Sequence, residues 1–393
     1  MAGTWLVWGE VALAAIGLAP FAIHRLACGR WAKAPMKIPD ENSALPITVL
    51  LPVWNESLII EKKLSALASQ DVDVNLLLVD SASDDETLVK AKSWLRDYPD
   101  AFLSHEIIQM EKRLGKTPAV MLALDKLQEF DGIILMTDAD ATMMPGAINR
   151  IQRWFSDPTI GAVGGTPNRT GDLHSEKTHR NMYTLLRIGE SSRDSTPFLE
   201  GSLMAWRSNL VESSDLHATA NADDAQIATA IRVKGMRTIQ DGDLEFTDQM
   251  PTTSKGQRRQ KVRRAQGLIR LLARKRKHWF SRRLGGFSTI LRRNAWMHIF
   301  SPFAIAGAGI LALLRTITYL PDSNLMYAMS AIEIYCLLAW LTTRFGKPIP
   351  MMRTVGAILY GLENLLTALL VTGRGKSLHM WEQHSDVREV LSE

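Results

Sequence analysis

The chain has 393 residues and a formal net charge of +5, long enough for two or three domains and a large buried core. Two cysteines, Cys28 and Cys336, exclude a disulfide framework or a thiolate metal site and point to a reducing compartment. The 46% hydrophobic content is ordinary, but it gathers in Trp5 to Ala27, Ala295 to Leu320, Leu325 to Thr343 and Val355 to Thr372. Each run approaches the roughly 20 residues that cross a bilayer, with buried core helices as the alternative reading.

The first run has no basic segment before it, whereas His24, Arg25, Arg30 and Lys33 follow it. This favours an uncleaved anchor over residues 1–30 whose start lies outside, with Trp31 to Arg293 cytoplasmic. Arg344 and Lys347 place a later short loop on the same side. A Pro-containing linker, residues 31–45, leads into alternating strand-like and helix-like segments. Ile47 to Leu51 reads as a strand, Ser57 to Ser69 as a helix, Val74 to Val79 as a strand and Asp85 to Asp97 as a helix. A further helix, Lys116 to Gln128, precedes a strand from Gly132 to Met136. The alternation predicts an α/β fold, a doubly wound and mostly parallel sheet over residues 46–250.

Polar residues cluster where these strands end: Asn55 and Glu56, then Asp80, then Asp138 and Asp140. Ligands of open α/β sheets bind at the carboxyl ends of the strands, and a hard divalent cation with one or two protein carboxylates usually shares its shell with phosphates. Asp138 and Asp140 therefore suggest a nucleotide-linked substrate, while a strand-end turn ahead of a helix near Pro145 explains them equally well. Gly115, Lys116 and Thr117 imitate the end of a phosphate-binding P-loop, but Met110 stands where its first glycine is required. Lys116 can still meet a diphosphate at its helix start, the alternative being a solvated lysine.

From Gln249 to Pro321 there is no Asp or Glu, while fifteen Lys or Arg lie between Lys255 and Arg293. Leu268, Ile269, Leu271, Leu272, Trp279, Phe280, Leu284 and Phe287 interleave with them. Residues 251–294 therefore read as basic interfacial helices against an anionic leaflet, not as a nucleic-acid patch. Three spans follow in residues 295–372, then a tail, 373–393. Glu10, Arg315, Glu333 and Glu363 interrupt the apolar runs, which points them toward a bundle interior or an interface.

In order, Leu51 to Glu56, Val79 to Thr87, Asp138-Ala139-Asp140, Gly164-Gly165, Gly201 to Arg207, Asp223-Asp224 and Gln260 to Gly267 resemble the motifs of the membrane-anchored family 2 inverting glycosyltransferases. These enzymes carry a GT-A domain and include ceramide and lipid glucosyltransferases and polysaccharide synthases. The resemblance covers most of residues 46–270. It implies that Asp80 contacts the nucleotide base, that Asp138 lies on the ribose or metal side, and that Asp140 coordinates Mg2+ or Mn2+. Pro52, Asn55, Glu56, Lys116, Gln260 and Arg263 would complete the donor site. Asp224 would be the catalytic base, because the family places a glycine eleven residues after the second acid, here Gly235. A helix cap explains Asp223 and Asp224 as well. Asp223 stands in the usual place of Glu, and Arg264 in the place of the tryptophan of Gln-x-x-Arg-Trp, both on the acceptor side.

The implied activity is transfer of a sugar from a nucleotide-sugar, expected to be UDP-linked, to a membrane lipid or polyprenyl phosphate at the cytoplasmic face of the cell membrane. A processive polysaccharide synthase with a glycan acceptor is the alternative within the class. Departures at Ser81, Asp223, Gln226 and Arg264 motivate another, a catalytically silent membrane scaffold that keeps the GT-A fold.

Overall fold

The computed structural model describes residues 4–34, 36–168, 174–248, 253–319, 321, 323–378, 380, 388 and 391. Its elements run α1 Thr4–Trp31, β1 Ile47–Val53, α2 Ile60–Ala68, β2 Asn75–Asp80, α3 Thr87–Asp97, β3 Ser104–Gln109, α4 Lys116–Lys126, β4 Ile133–Thr137, β5 Thr142–Met143 and α5 Ala147–Trp154. Beyond these come β6 Ile160–Pro167, α6 His174–Arg193, β7 Leu203–Arg207, α7 Asp223–Val233, β8 Arg237–Thr247, α8 Ser254–Arg274, α9 Gly285–Ala295, α10 Ser301–Thr318, α11 Asn324–Arg344 and α12 Arg353–Gly373.

The eight strands form one sheet in the order β3-β2-β1-β4-β7-β6-β8-β5. Pairing is parallel for β1 with β2 and β4, β2 with β3, and β6 with β8; it is antiparallel where β7 meets β4 and β6, and where β5 meets β8. Helices cover both faces, so the central strands are apolar without alternation. Val49, Leu51 and Val53 point into one core with α2, α3 and α5, while Leu50 faces the other with α4 and α7. The fold is GT-A-like.

Five strands lie outside the sequence expectation, which names only β1, β2 and β4, and two of them are informative. β3, Ser-His-Glu-Ile-Ile-Gln, is a half-exposed edge strand too polar to stand out. The other, β7, enters the sheet antiparallel between β4 and β6. The side chains read as facing lipid also need correcting. Leu271, Leu272, Leu284 and Phe287 are buried with Phe198 and Ala225 of the catalytic domain, and Ile269 packs with Val262 and Ala368, leaving Phe280 exposed. Nor is there a break near residue 295. The helix of α9 passes through a π-helical turn, Trp296–Phe300, directly into α10.

Among the described residues, four helices are long and apolar enough to cross a membrane: Trp5–Trp31, Arg282–Thr318, Asn324–Arg344 and Pro350–Gly373. The charges that interrupt them are paired inside the bundle. Arg315 is fully buried between Glu10, 3.4 Å away, and Glu333. Glu363 meets Arg258 at 2.8 Å and Arg344 at 2.9 Å, and accepts from Trp340 Nε1 at 3.0 Å. Glu190 of α6 joins this bundle to the sheet. Its carboxylate lies 2.7 Å from His24 Nε2 and accepts from Asn294 Nδ2 and Thr196 Oγ1, each at 2.7 Å. Next to it, a Cβ on Gly189 would come within 2.4 Å of the Cys28 carbonyl oxygen, so α1 and α6 touch backbone to backbone.

Replacing Arg315 with Leu leaves the buried Glu10 carboxylate and the partly buried Glu333 carboxylate without their cation. It should cost about 3–5 kcal/mol in detergent unfolding, and Glu10→Gln with Glu333→Gln should restore much of that loss.

Candidate active site

The parallel strands β1, β2 and β4 end side by side, and their following turns form one crevice. Asn55, at φ 56°, exchanges hydrogen bonds with Asp84 across it, its side-chain oxygen accepting from Asp84 N at 3.0 Å. Asp80 is buried, and its carboxylate accepts from Ser83 N at 3.1 Å and from the Ser83 hydroxyl. It therefore fastens its own strand-end turn. Pro52 lies buried inside β1, opposite Val79.

Asp138 leaves β4 into a net of fixed donors. Lys116 Nζ, at the first position of α4, donates to Oδ1 at 2.6 Å, and Ser202 Oγ donates to Oδ2 at 3.1 Å. Burial pushes the Asp138 carboxyl up, but the lysine charge and its hydrogen bond prevail and hold it below the ordinary range. For Lys116 burial works downward, and the charges of Asp138 and Asp223 outweigh it, keeping the ammonium protonated. Lys116 is thus an ion-paired lysine, 3.8 Å from Asp223 Oδ2, and not a solvated one. Beneath Asp138, Lys63 is buried and donates to Thr137 Oγ1 at 2.9 Å and Ala141 O at 2.5 Å. Burial draws its pKa down to about 8 against the pull of Asp138 and Asp140.

Asp223 and Asp224 form the first turn of α7, entered through Ala222 at φ 63°. Acidic residues suit a helix start. Asp224 is held further, accepting from Gly201 N at 3.1 Å and Ala225 N at 2.7 Å. Burial, then the neighbouring Asp223 charge, raises its pKa to about 7, with Lys116 opposing. A carboxylate with that pKa is poised to take a proton near neutrality. Gly201 leaves little room for a larger residue, since a Cβ would lie 3.2 Å from Lys116 Nζ and 3.4 Å from Asp224 Oδ2.

A pocket of about 920 Å³ opens over these groups, lined by Lys116, Asp138, Asp224, Arg187, Arg263 and Arg264 among others. Arg263 and Arg264 reach it because α8 packs closely on the loop before α7. A Cβ on Gly267 would meet Ala222 and Asn221 at 2.9 Å. Gln260, one turn earlier, does not line the pocket. Beside the pocket, between α1, α6, the π turn and α12, runs an apolar cleft enclosing about 540 Å³, lined by Leu18, Phe21, Tyr183, Met297, Ile358 and Leu362 among others. Phe198 lines the polar pocket and His298 the cleft, and their rings meet edge to face at 5.6 Å.

The structure also brings in residues the sequence did not single out. Ser202, Lys63 and the ion pair of Arg187 with Glu200 are three. A fourth is Arg388, from the far end of the chain. Its Nε and Nη2 bind the two oxygens of Glu56 at 2.8 and 2.6 Å, and its Nη1 donates to Asp140 Oδ2 at 2.8 Å. Burial raises the Glu56 pKa to about 7 even though Arg388 counters it.

By donor chemistry, Asp138 and Asp140 could supply only part of a divalent cation's shell. Both offer hard oxygens, which Lys116 and Ser202 occupy on Asp138 and Arg388 on Asp140, and among the described residues no group of three His, Cys, Asp or Glu could hold a metal alone. Such a shell is one that diphosphate oxygens and water complete.

Comparison with known proteins defines the class. The family model "Glycosyl transferase family group 2" matches residues 133–344, and "Glycosyl transferase family 2" matches residues 48–213. The chain belongs to the family 2 glycosyltransferases. Among solved structures it is similar to a mannosyltransferase, PcManGT, from Pyrobaculum calidifontis in complex with GDP-Man and Mn2+. That likeness has 26% identity and a TM-score of 0.78, over 95% of this chain and 100% of that one. Among curated proteins, an uncharacterized protein of Mycobacterium tuberculosis is 27% identical over 150 residues, 37% of this chain and 44% of its own length. An N-acetylglucosaminyltransferase of Rhizobium leguminosarum bv. viciae is 25% identical over 134 residues, 33% of this chain and 30% of its own. The matches thus span less than half the length of these curated relatives.

Replacing Lys116 with Met should lower the thermal midpoint at pH 8, where Asp138, Asp223 and Asp224 lose their shared cation. The deficit should narrow toward pH 5, because the carboxyls, freed of the lysine, take up protons at higher pH than in the parent.

Proposed function

We propose that the chain is an inverting glycosyltransferase that moves a sugar from a nucleoside-diphosphate donor to a membrane lipid. The observation that carries this reading is the contact of Phe198 with His298, which sets the polar pocket of Asp138 and Asp224 against an apolar cleft between membrane-type helices. A lipid lying in the cleft would present its head group to Asp224. The basic flanks at His24, Arg25, Arg30 and Lys33 support a catalytic domain on the cytoplasmic side.

In this mechanism the donor diphosphate lies at the strand ends near Asp138, Asp140 and Lys116, and Arg263 serves it or the lipid head group. A divalent ion, Mn2+ or Mg2+, held by Asp138 and Asp140 would supply positive charge to the diphosphate. Asp224 takes the proton of the acceptor hydroxyl as its oxygen bonds to the anomeric carbon. The bond to the diphosphate breaks on the opposite side, its electron pair leaving with the nucleoside diphosphate. A base poised near pH 7 favours an acceptor hydroxyl over a polyprenyl phosphate, whose oxygens are already ionised. Asp80, Pro52 and Asn55 stay in the reading as the wall of the nucleotide pocket, and Asp223 and Arg264 as its acceptor side.

Membranes supplied with Mn2+ and a panel of labelled GDP- and UDP-sugars should yield label in solvent-extractable lipid. Label in high-mass polymer would instead mark a processive synthase, and no transfer with any donor would mark a silent scaffold. Asp224→Asn should keep donor binding and lose about a hundredfold to ten-thousandfold in turnover. For the parent, kcat/KM should fall as pH drops below about 7, as Asp224 becomes protonated. Asp223→Asn, by removing a like charge, should shift that limb to lower pH.

A further inference from the structure

Two described parts of the C-terminal tail are attached to the catalytic domain. Just past α12, Leu378 N donates to Gln266 Oε1 at 2.8 Å, and Ser377 Oγ donates to Thr219 O at 3.1 Å. At the far end, Lys62 Nζ of α2 donates to Leu391 O at 2.7 Å, and the Leu391 side chain packs on the core beneath α2. Between these points Arg388 enters the donor crevice and is only 4% exposed.

Its guanidinium has two kinds of partner. The fork of Nε and Nη2 on Glu56 is bidentate, and Glu56 is 1% exposed, so separating them would strand a buried carboxylate. Nη1, by contrast, meets a single oxygen of Asp140, whose side chain is about a fifth exposed toward the crevice. The first contact is an anchor and the second is exchangeable.

We propose that Arg388 is a donor-binding residue supplied by the C-terminal tail. Anchored on Glu56, it neutralises Asp140 before the donor arrives. When a divalent cation takes Asp140, its Nη1 turns to the donor's diphosphate oxygens, which a guanidinium suits. This rests on Asp138 and Asp140 being the metal site of a nucleoside-diphosphate donor. No bond is made or broken in the exchange. One cation replaces another on Asp140, and the displaced N–H finds a new anionic acceptor.

The test titrates the full-length protein with Mn2+ alone, then with GDP and with UDP at saturating Mn2+. For Arg388→Ala, Mn2+ alone should bind severalfold more tightly, because its competitor on Asp140 is gone. Binding of whichever nucleotide the parent accepts should weaken about tenfold or more, because a charge-assisted hydrogen bond is lost. Arg388→Lys should recover part of the nucleotide binding. If Arg388→Ala is too unstable to titrate, Glu56→Gln with Arg388→Met removes both buried charges and must give the same crossed result. Tighter binding of both metal and nucleotide would overturn the proposal and make the tail a plug. Unchanged binding of both would overturn it by making Arg388 structural. Asp140→Asn should abolish the enhancement of nucleotide binding by Mn2+. If that enhancement persists undiminished, the metal-site reading itself fails, whatever Arg388 does.

Discussion

The structure depends on balancing carboxylates gathered where the sheet ends. Glu56, Asp138, Asp140, Asp223 and Asp224 converge there with little water to solvate them, and each ionised group needs a nearby cation or a set of donors. The cations come from three separate elements: Lys63 from α2, Lys116 from the start of α4, and Arg388 from the tail. None belongs to the strands that carry the carboxylates. Packing of α2 and α4 on opposite faces of the sheet is therefore also what keeps the crevice charged and ready for a diphosphate. Asp224, left under-compensated beside Asp223, has its proton affinity raised to near neutrality, as burial also does for Glu56 in spite of Arg388.

The same requirement organises the membrane half. Arg315 and Glu363 sit where a single unpaired charge would be most costly, and each is enclosed by opposite charges from other helices. Arg258 of α8 takes part in the second cluster, so the basic helix bearing Arg263 is tied to α12 as well as to the catalytic domain. Its cations serve three neighbours: the pocket, the bundle and the tail.

Long, strongly patterned features were legible in the sequence. Strands β1, β2 and β4, the helices α2, α3 and α4 and the apolar spans fall within a few residues of expectation, because burial on both sheet faces or in a bilayer demands continuous apolar runs. Asp138 and Asp140 stood out because they follow a strand end directly, and Asp224 through the family resemblance. What escaped was set by distant contacts. The polarity of β3 fits an edge and gives no strand signal. The reversal of β7 depends on its partners. Leu271 and Phe287 look the same whether they face lipid or a protein core. Nothing near residue 388 marks an arginine that joins Glu56, 332 positions away.

Glu190 has a last consequence. Its carboxylate is shared by His24 of α1, Asn294 of α9 and Thr196 beside the sheet, and Gly189 brings the backbones of α1 and α6 together. The boundary near residue 46, natural as it looks in the sequence, is thus not a seam along which the protein can be divided. A fragment trimmed of its first helix would carry an unshielded acid and a bare glycine groove on its surface. A water-soluble version of the catalytic domain would have to be redesigned along that face, not simply excised.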